Sequence, residues 1–340
     1  MAKIYDFNDK KLSSDNISNP EAYALFLKGQ LELENGNSAE AIKFFEKSAE
    51  MGNDRAQSEL GIIYISGEIV PEDDNKAAKY FLAAADQGNK TAIFNLGILY
   101  LNGWGVKTDI KKAIDIFDKL SDDGEADAYF MLGQIYDSDQ FVARKPKKAI
   151  EYYKKAADLG FGAACFNLGC KYNLGQDVKV DYEQARIYFE KAINNDYVKA
   201  YCNLGYLYLK GNGVKKDVKK ALNYFIEGGS KGDGESFNNL GYMYYVGDGV
   251  DIDYDKAFQY FSQGVEIDNT NSYHGLGICY EYGFGTERNF KKALECYGMA
   301  ASRGNYEAKL KFTILAMKMK EFSKRGSTNK KSKPKRRKKK

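Results

Sequence analysis

One register runs through most of this 340-residue chain. The dipeptide Leu-Gly recurs at Leu60, Leu96, Leu132, Leu168, Leu204, Leu240 and Leu276, and every step is 36 residues. A tyrosine follows each leucine four positions on, from Tyr64 to Tyr280, and an alanine seventeen on, from Ala77 to Ala293. Seven copies in one register, without insertion, restrict the chain to a stacked array of small units. A unit of this size buries its apolar face only against its neighbours.

Within a copy the apolar spacing is helical. Ala92, Leu96 and Tyr100 fall at i, i+4 and i+8 on a first helix, and Ala113, Ile116, Phe117 and Leu120 form the stripe of a second. Between them lies "NGWGVKTD", ending on Asp109, an N-cap candidate. Each copy therefore reads as helix, turn, antiparallel helix. Gly97 and Ala113 sit where two helix axes approach closely, and a larger side chain there would push them apart. Tyr100 suits a buried ring with its hydroxyl at a polar edge. The series Gly52, Gly88, Gly124, Gly160, Asp196, Gly232, Asp268 and Gly304 marks the left-handed position that closes each second helix.

Glycine pairs such as "GWGV" at 103–106, "GNGV" at 211–214 and "GDGV" at 247–250 invite a phosphate-loop reading. That loop needs a strand before it and a helix N-terminus after it. Here a helix precedes each pair, so the glycines read as the turn between antiparallel helices. The first copy has a shorter turn: Gly29 precedes Ala41 by twelve residues, where Gly61 precedes Ala77 by sixteen.

The stretches "AIFNLGILYLNGWGVKTDIKKAIDIFDKL" and "AYCNLGYLYLKGNGVKKDVKKALNYFIEG" resemble the Sel1-like repeat (SLR), a relative of the tetratricopeptide repeat (TPR). The likeness covers roughly residues 20 to 310. The copy from Ala128 departs from it, with "DSDQFVARKP" in place of the glycine turn, as does the copy from Ala164, with "NLGQDVKVD". The first copy resembles an ordinary tetratricopeptide unit. The resemblance implies an all-α, right-handed α-α superhelix whose members mostly act as adaptors for other proteins. It also raises quality-control adaptors like those of endoplasmic-reticulum degradation, regulatory subunits of enzyme complexes, and the cysteine-rich secreted relatives linked to penicillin binding.

Chemistry has few residues to work with. The single histidine, His274, excludes most zinc sites and most histidine-based catalysis. The five cysteines share no repeat position and form no CxxC, so they read as free thiols. A β-lactamase-like hydrolase needs Ser-x-x-Lys, Ser-Asp-Asn and Lys-Thr-Gly. Here Ser327 to Lys330 lies in a basic run, Ser14, Asp15 and Asn16 lie before the first repeat, and Lys-Thr-Gly does not occur. Alternating Asp251, Asp253 and Asp255 look like a calcium loop, but Lys256 stands where that loop requires glycine, so capping is expected. No enzyme activity and no cofactor or metal are expected. The start of the chain, without an apolar core, reads as no secretory signal, and no apolar run is long enough to span a membrane.

The expected working surface is the concave groove lined by the first helices, which in tetratricopeptide arrays receives a peptide or partner helix. The position before Leu-Gly holds Asn95, Asn167, Asn203 and Asn239, and the one before that holds Phe94, Phe130 and Phe166. The asparagines suit a partner's extended backbone, or the backbone of the neighbouring repeat. The phenylalanines suit the groove or the core between repeats. His274 faces the groove or packs.

After the repeats, Leu310, Ile314 and Met317 form an apolar stripe expected to seal the stack. The end, "SKRGSTNKKSKPKRRKKK", has no apolar residue and is expected to be disordered. It concentrates charge: eleven of the chain's 51 lysines and arginines fall in 324–340, so 51 − 11 leaves 40 against 47 acidic residues elsewhere, a net −7. Lys330, Lys331, Lys333, Lys335, Arg336, Arg337, Lys338, Lys339 and Lys340 are candidates for nucleic-acid or importin contact, for anionic lipid, or for the chain's own acidic body. The expected organisation is a leader at 1–19, a tetratricopeptide-like unit at 20–53, seven Sel1-like units at 54–307, a capping helix at 308–322 and a basic tail at 323–340. A monomeric, cytoplasmic adaptor is expected, with nuclear entry open to it in a eukaryote.

Overall fold

The computed structural model describes residues 19–330, with side chains described as far as residue 321. Among the described residues there are seventeen α-helices and no strand. The chain divides into two compact units, up to Ala164 and from Cys165.

The first unit holds α1 (Pro20–Glu34), α2 (Ser38–Glu50), α3 (Asp54–Ser66), α4 (Asp74–Ala85), α5 (Lys90–Asn102), α6 (Ile110–Asp122), α7 (Ala126–Asp137) and α8 (Pro146–Asp158). The unit boundary falls within α9 (Gly162–Leu174). The second unit continues with α10 (Tyr182–Asn194), α11 (Ala200–Lys210), α12 (Val218–Ser230), α13 (Gly234–Val246), α14 (Tyr254–Glu266), α15 (Thr270–Tyr282), α16 (Phe290–Ser302) and α17 (Tyr306–Lys330). Odd-numbered helices are the first helices of the copies, and even-numbered helices the second.

Each pair closes on the glycine slot. The Gly97 backbone lies under the Phe117 ring, where an added Cβ would stand 2.7 Å from Cζ. The same contact joins Gly205 to Phe225 and Gly277 to Tyr297. In the first copy it joins Gly29 to Phe45, sixteen residues on instead of twenty, which absorbs the shorter turn. Ala113 is fully buried at the same crossing. Aspartate caps most second helices: Asp109 accepts from the Lys112 amide at 2.9 Å, and Asp253 likewise accepts from that of Lys256. The third Leu-Gly copy, whose turn lacks the glycines, starts α8 on Pro146 instead, a residue preset for the first helical position.

The turn glycines answer two demands. Gly103 and Gly105 both take positive φ, at 76° and 62°. Gly105 also rests on the preceding second helix, where a Cβ would strike the Asp74 carbonyl. The helix-closing series is left-handed throughout, including Asp196 at φ 58°. An L-residue with a side chain is strained there, so Asp196→Gly is expected to stabilise the chain by about 0.5 kcal/mol in urea denaturation. A loss of stability would contradict this account of the position.

The terminal helix differs from expectation in the face it buries. α17 stands in register with the first helices: Ala308 lies 36 residues after Ser272, and Leu315 lies 36 after Cys279. Ala308 and Leu315 are therefore the buried residues, while the stripe of Leu310, Ile314 and Met317 is exposed. The repeat's packing register selects the face. The helical backbone runs to Lys330.

Candidate partner-binding face

Within each unit the first helices also touch one another, α3 with α5 in the first and α11 with α13 and α13 with α15 in the second. No pair of second helices touches as extensively. The first helices thus lie on the tighter side of each stack, which places their outward positions on its inner face.

The asparagines behave differently from one another. Asn95 is 2 % exposed and donates to the Thr91 carbonyl at 2.9 Å, one turn back on its own helix. Asn203, half-buried, does the same to Lys199 at 3.2 Å. Asn239 is buried and ties neighbouring repeats, donating to Cys202 Sγ at 3.0 Å and accepting from the Tyr206 hydroxyl at 2.8 Å. Asn167 is half-buried.

The phenylalanine row is packed. Phe94 is 1 % exposed, edge-on to Phe117 at 5.2 Å, and presents no surface to a partner. Phe130 sits between Tyr153 and Phe161, and Phe166 between Phe189 and Tyr197. Phe130 and Phe166 therefore each meet their own second helix and an aromatic residue at the junction with the next copy.

His274 is half-buried with its ring 5.9 Å from Tyr297, and Nε2 is buried without a hydrogen-bond partner. Burial holds the imidazole below its ordinary 6.5, while Glu307 and Lys311 act on it with opposite signs. The side chain is neutral at pH 7.

Two cavities in the second unit collect some of these residues. One of about 680 Å³ is bordered by Phe166, Asn203, Lys199, Asp233 and Glu235. Another, of about 220 Å³, is bordered by His274. Phe94, Asn95 and Phe130 belong to the first unit and join neither. Of the basic candidates, Lys331, Lys333, Lys335, Arg336, Arg337, Lys338, Lys339 and Lys340 lie outside the described residues, and Lys330 is described in backbone alone.

Three half-exposed aromatic residues lie elsewhere on the first helices of the second unit. Tyr206 and Tyr242 occupy the second position after their leucines, and Tyr282 occupies the sixth after Leu276. They are 44 %, 55 % and 50 % exposed, beside exposed Val246. The sequence holds large side chains at the second position in most copies, including Ile62 and Ile98, so residue type alone does not separate exposed from packed ones. The neighbouring charges are matched: Lys210 pairs with Asp248 at 2.8 Å, and Lys311 lies 3.9 Å from Glu281.

Burial pushes the thiols of Cys170 and Cys296 up to about 11 and that of Cys279 up to about 12. Among the described residues no group of three His, Cys, Asp or Glu side chains is placed to hold a metal ion, and no helix is long and apolar enough to cross a membrane.

Helix pairs of fixed period, closed by a glycine–aromatic contact and stacked through their neighbours, define a helical-repeat scaffold of the tetratricopeptide type. The chain belongs to the Sel1 repeat family, whose pattern matches at 54–89, 91–125, 126–161, 162–197, 198–233, 238–268 and 270–305. A tetratricopeptide repeat pattern matches residues 13–56. Among solved structures the chain is similar to a Sel1 repeat protein from Oxalobacter formigenes, 28% identical, covering 87% of each chain with a TM-score of 0.67. It is also similar to a protective antigen of uropathogenic Escherichia coli with an SLR fold, 26% identical, covering 87% of this chain and 72% of that one, with a TM-score of 0.59. No curated protein sequence matches it. Repeats of this family generally serve as non-catalytic scaffolds.

Proposed function

We propose that the protein is a non-catalytic adaptor that receives a partner protein or peptide on the first-helix face of its second unit. The observation that carries this reading is the row of half-exposed Tyr206, Tyr242 and Tyr282. Large apolar rings held partly in water, next to charges already paired, are the composition of an interaction surface. Asn203, Phe166 and His274, on the rims of the two cavities, are proposed as further contacts. The basic residues 330–340 are proposed to recruit a polyanion.

The test is affinity capture with the full chain and with the double variant Tyr206→Ala/Tyr282→Ala. A specific partner should be lost, with binding weakened by about 2 kcal/mol or more, as for truncated interface aromatics. Helicity by circular dichroism should not change. Retention of every captured protein would overturn the reading. For the basic end, nucleic-acid binding by the full chain should fall steeply with salt and disappear when 331–340 are removed. Equal binding without those residues would exclude that role.

A further inference from the structure

The proposed face holds a half-open cavity. The cavity of about 220 Å³ is bordered by Asn238, Tyr242 and Tyr245 of α13, His274 and Ile278 of α15, and Glu307 of α17. It is smaller than the about 300–1,000 Å³ of a small-molecule site, and suits a single long side chain.

Its lining favours a cation, although the charge of Lys311 reaches both His274 and Tyr245. Tyr242 and Tyr245 stand with ring centroids 6.4 Å apart, and aromatic faces carry partial negative charge. Glu307 is a carboxylate on the lining, and no lysine or arginine lines it. His274 is neutral. Asn238 spends one amide N–H on Glu235 at 3.2 Å, and its carbonyl oxygen is among the groups left for a ligand. Asn271 also donates to Glu235, which places a second carboxylate behind the wall.

The chain already shows what such rings take. Lys112 Nζ lies 4.3 Å over Tyr100, Lys220 4.1 Å over Tyr208 and Lys256 4.9 Å over Tyr244. Lys311 covers Tyr282 at 5.2 Å and donates to its hydroxyl at 3.3 Å. Among the described residues no lysine or arginine lies over Tyr242 or Tyr245.

We propose that this cavity is the receptor for one cationic side chain, lysine or arginine, carried on an extended segment of the partner. The aliphatic stem packs on Ile278, the charged head sits against the tyrosine faces, and the Glu307 carboxylate and Asn238 carbonyl accept its N–H groups. The inference rests on the reading of this face as the docking surface, and adds what the docked segment must contain.

The experiment uses the full chain and fluorescein-labelled peptides Gly-Ser-Gly-Xaa-Gly-Ser-Gly, with Xaa lysine, arginine, norleucine, phenylalanine or glutamate. Fluorescence polarisation should show lysine or arginine binding about tenfold tighter than norleucine, the scale of a desolvated cation–π contact with a carboxylate. Tyr242→Ala and Glu307→Gln should each weaken the cationic peptide about fivefold, while Tyr242→Phe, which keeps the ring face, should stay within about twofold. Equal binding of norleucine or phenylalanine overturns the proposal, as does tighter glutamate, indifference to all three variants, or no cationic binding up to about 1 mM, some 4 kcal/mol. If the adaptor's partner is lost in Tyr206→Ala/Tyr282→Ala while the peptides show no cationic preference, the docking face stands and only the cationic receptor falls.

Discussion

Asp177→Asn is expected to destabilise the second unit by about 3 kcal/mol, read as a shift of the urea midpoint. Lys171 is 3 % exposed, and its ammonium lies 3.0 Å from the Asp177 carboxylate. The position is the third after Leu-Gly's leucine, where other copies hold Ile63, Leu99, Ile135, Leu207 and Met243. A charge has therefore entered an apolar slot. The same copy carries the altered turn, and Asp177 takes positive φ, 65°, at the place of the second turn glycine. The two departures compensate each other: the turn residue that replaces glycine supplies the counter-charge for the lysine. Removing the carboxylate charge takes a counter-charge at 3.0 Å from a buried ammonium, whereas replacing the lysine by a hydrocarbon removes the demand for it. Lys171→Leu is thus expected to be neutral or stabilising, and Asp177→Asn should cost far less in that background. A change under about 0.5 kcal/mol for Asp177→Asn alone would refute the compensation.

Gly205→Val is expected to cost about 3 kcal/mol, at the upper end of overpacking effects. A Cβ at Gly205 would stand 2.5 Å from Cε1 of Phe225, a ring that is itself fully buried. Tyr206 lies edge-on to that ring at 5.7 Å, so it has no free space to turn into. The two helices must separate, and the neighbouring copies, which stack on them, feel the shift. Phe225→Leu should recover part of the loss. Gly298→Ala is the control: the added carbon meets Phe312 at 3.5 Å, an ordinary contact, and alanine is the better helix former. It should be neutral or stabilising. Equal losses at Gly205 and Gly298 would mean that backbone freedom, rather than close approach, sets the role of glycine in these helices.

Much of the fold is legible in the residues because each repeat solves the same local problem. The 36-residue register, Asp109 as a cap, the left-handed helix ends and the shortened first turn depend on backbone geometry and nearest neighbours. The candidate face is less legible. Asn95 and Asn239 occupy one repeat position, yet Asn95 donates to Thr91 on its own helix while Asn239 bridges two copies through Cys202 and Tyr206. The stripe of Leu310, Ile314 and Met317 has helical spacing on α17, but periodicity names a face without saying what lies against it.

By itself the sequence determined the number, length and order of the helix pairs, since period, caps and glycines are properties of local chain. Only the tertiary structure decided which repeated positions are buried, because burial belongs to the gap between copies. Tyr206, Tyr242 and Tyr282 are left half in water, Phe94 is sealed, and Lys171 pairs with Asp177 inside the core.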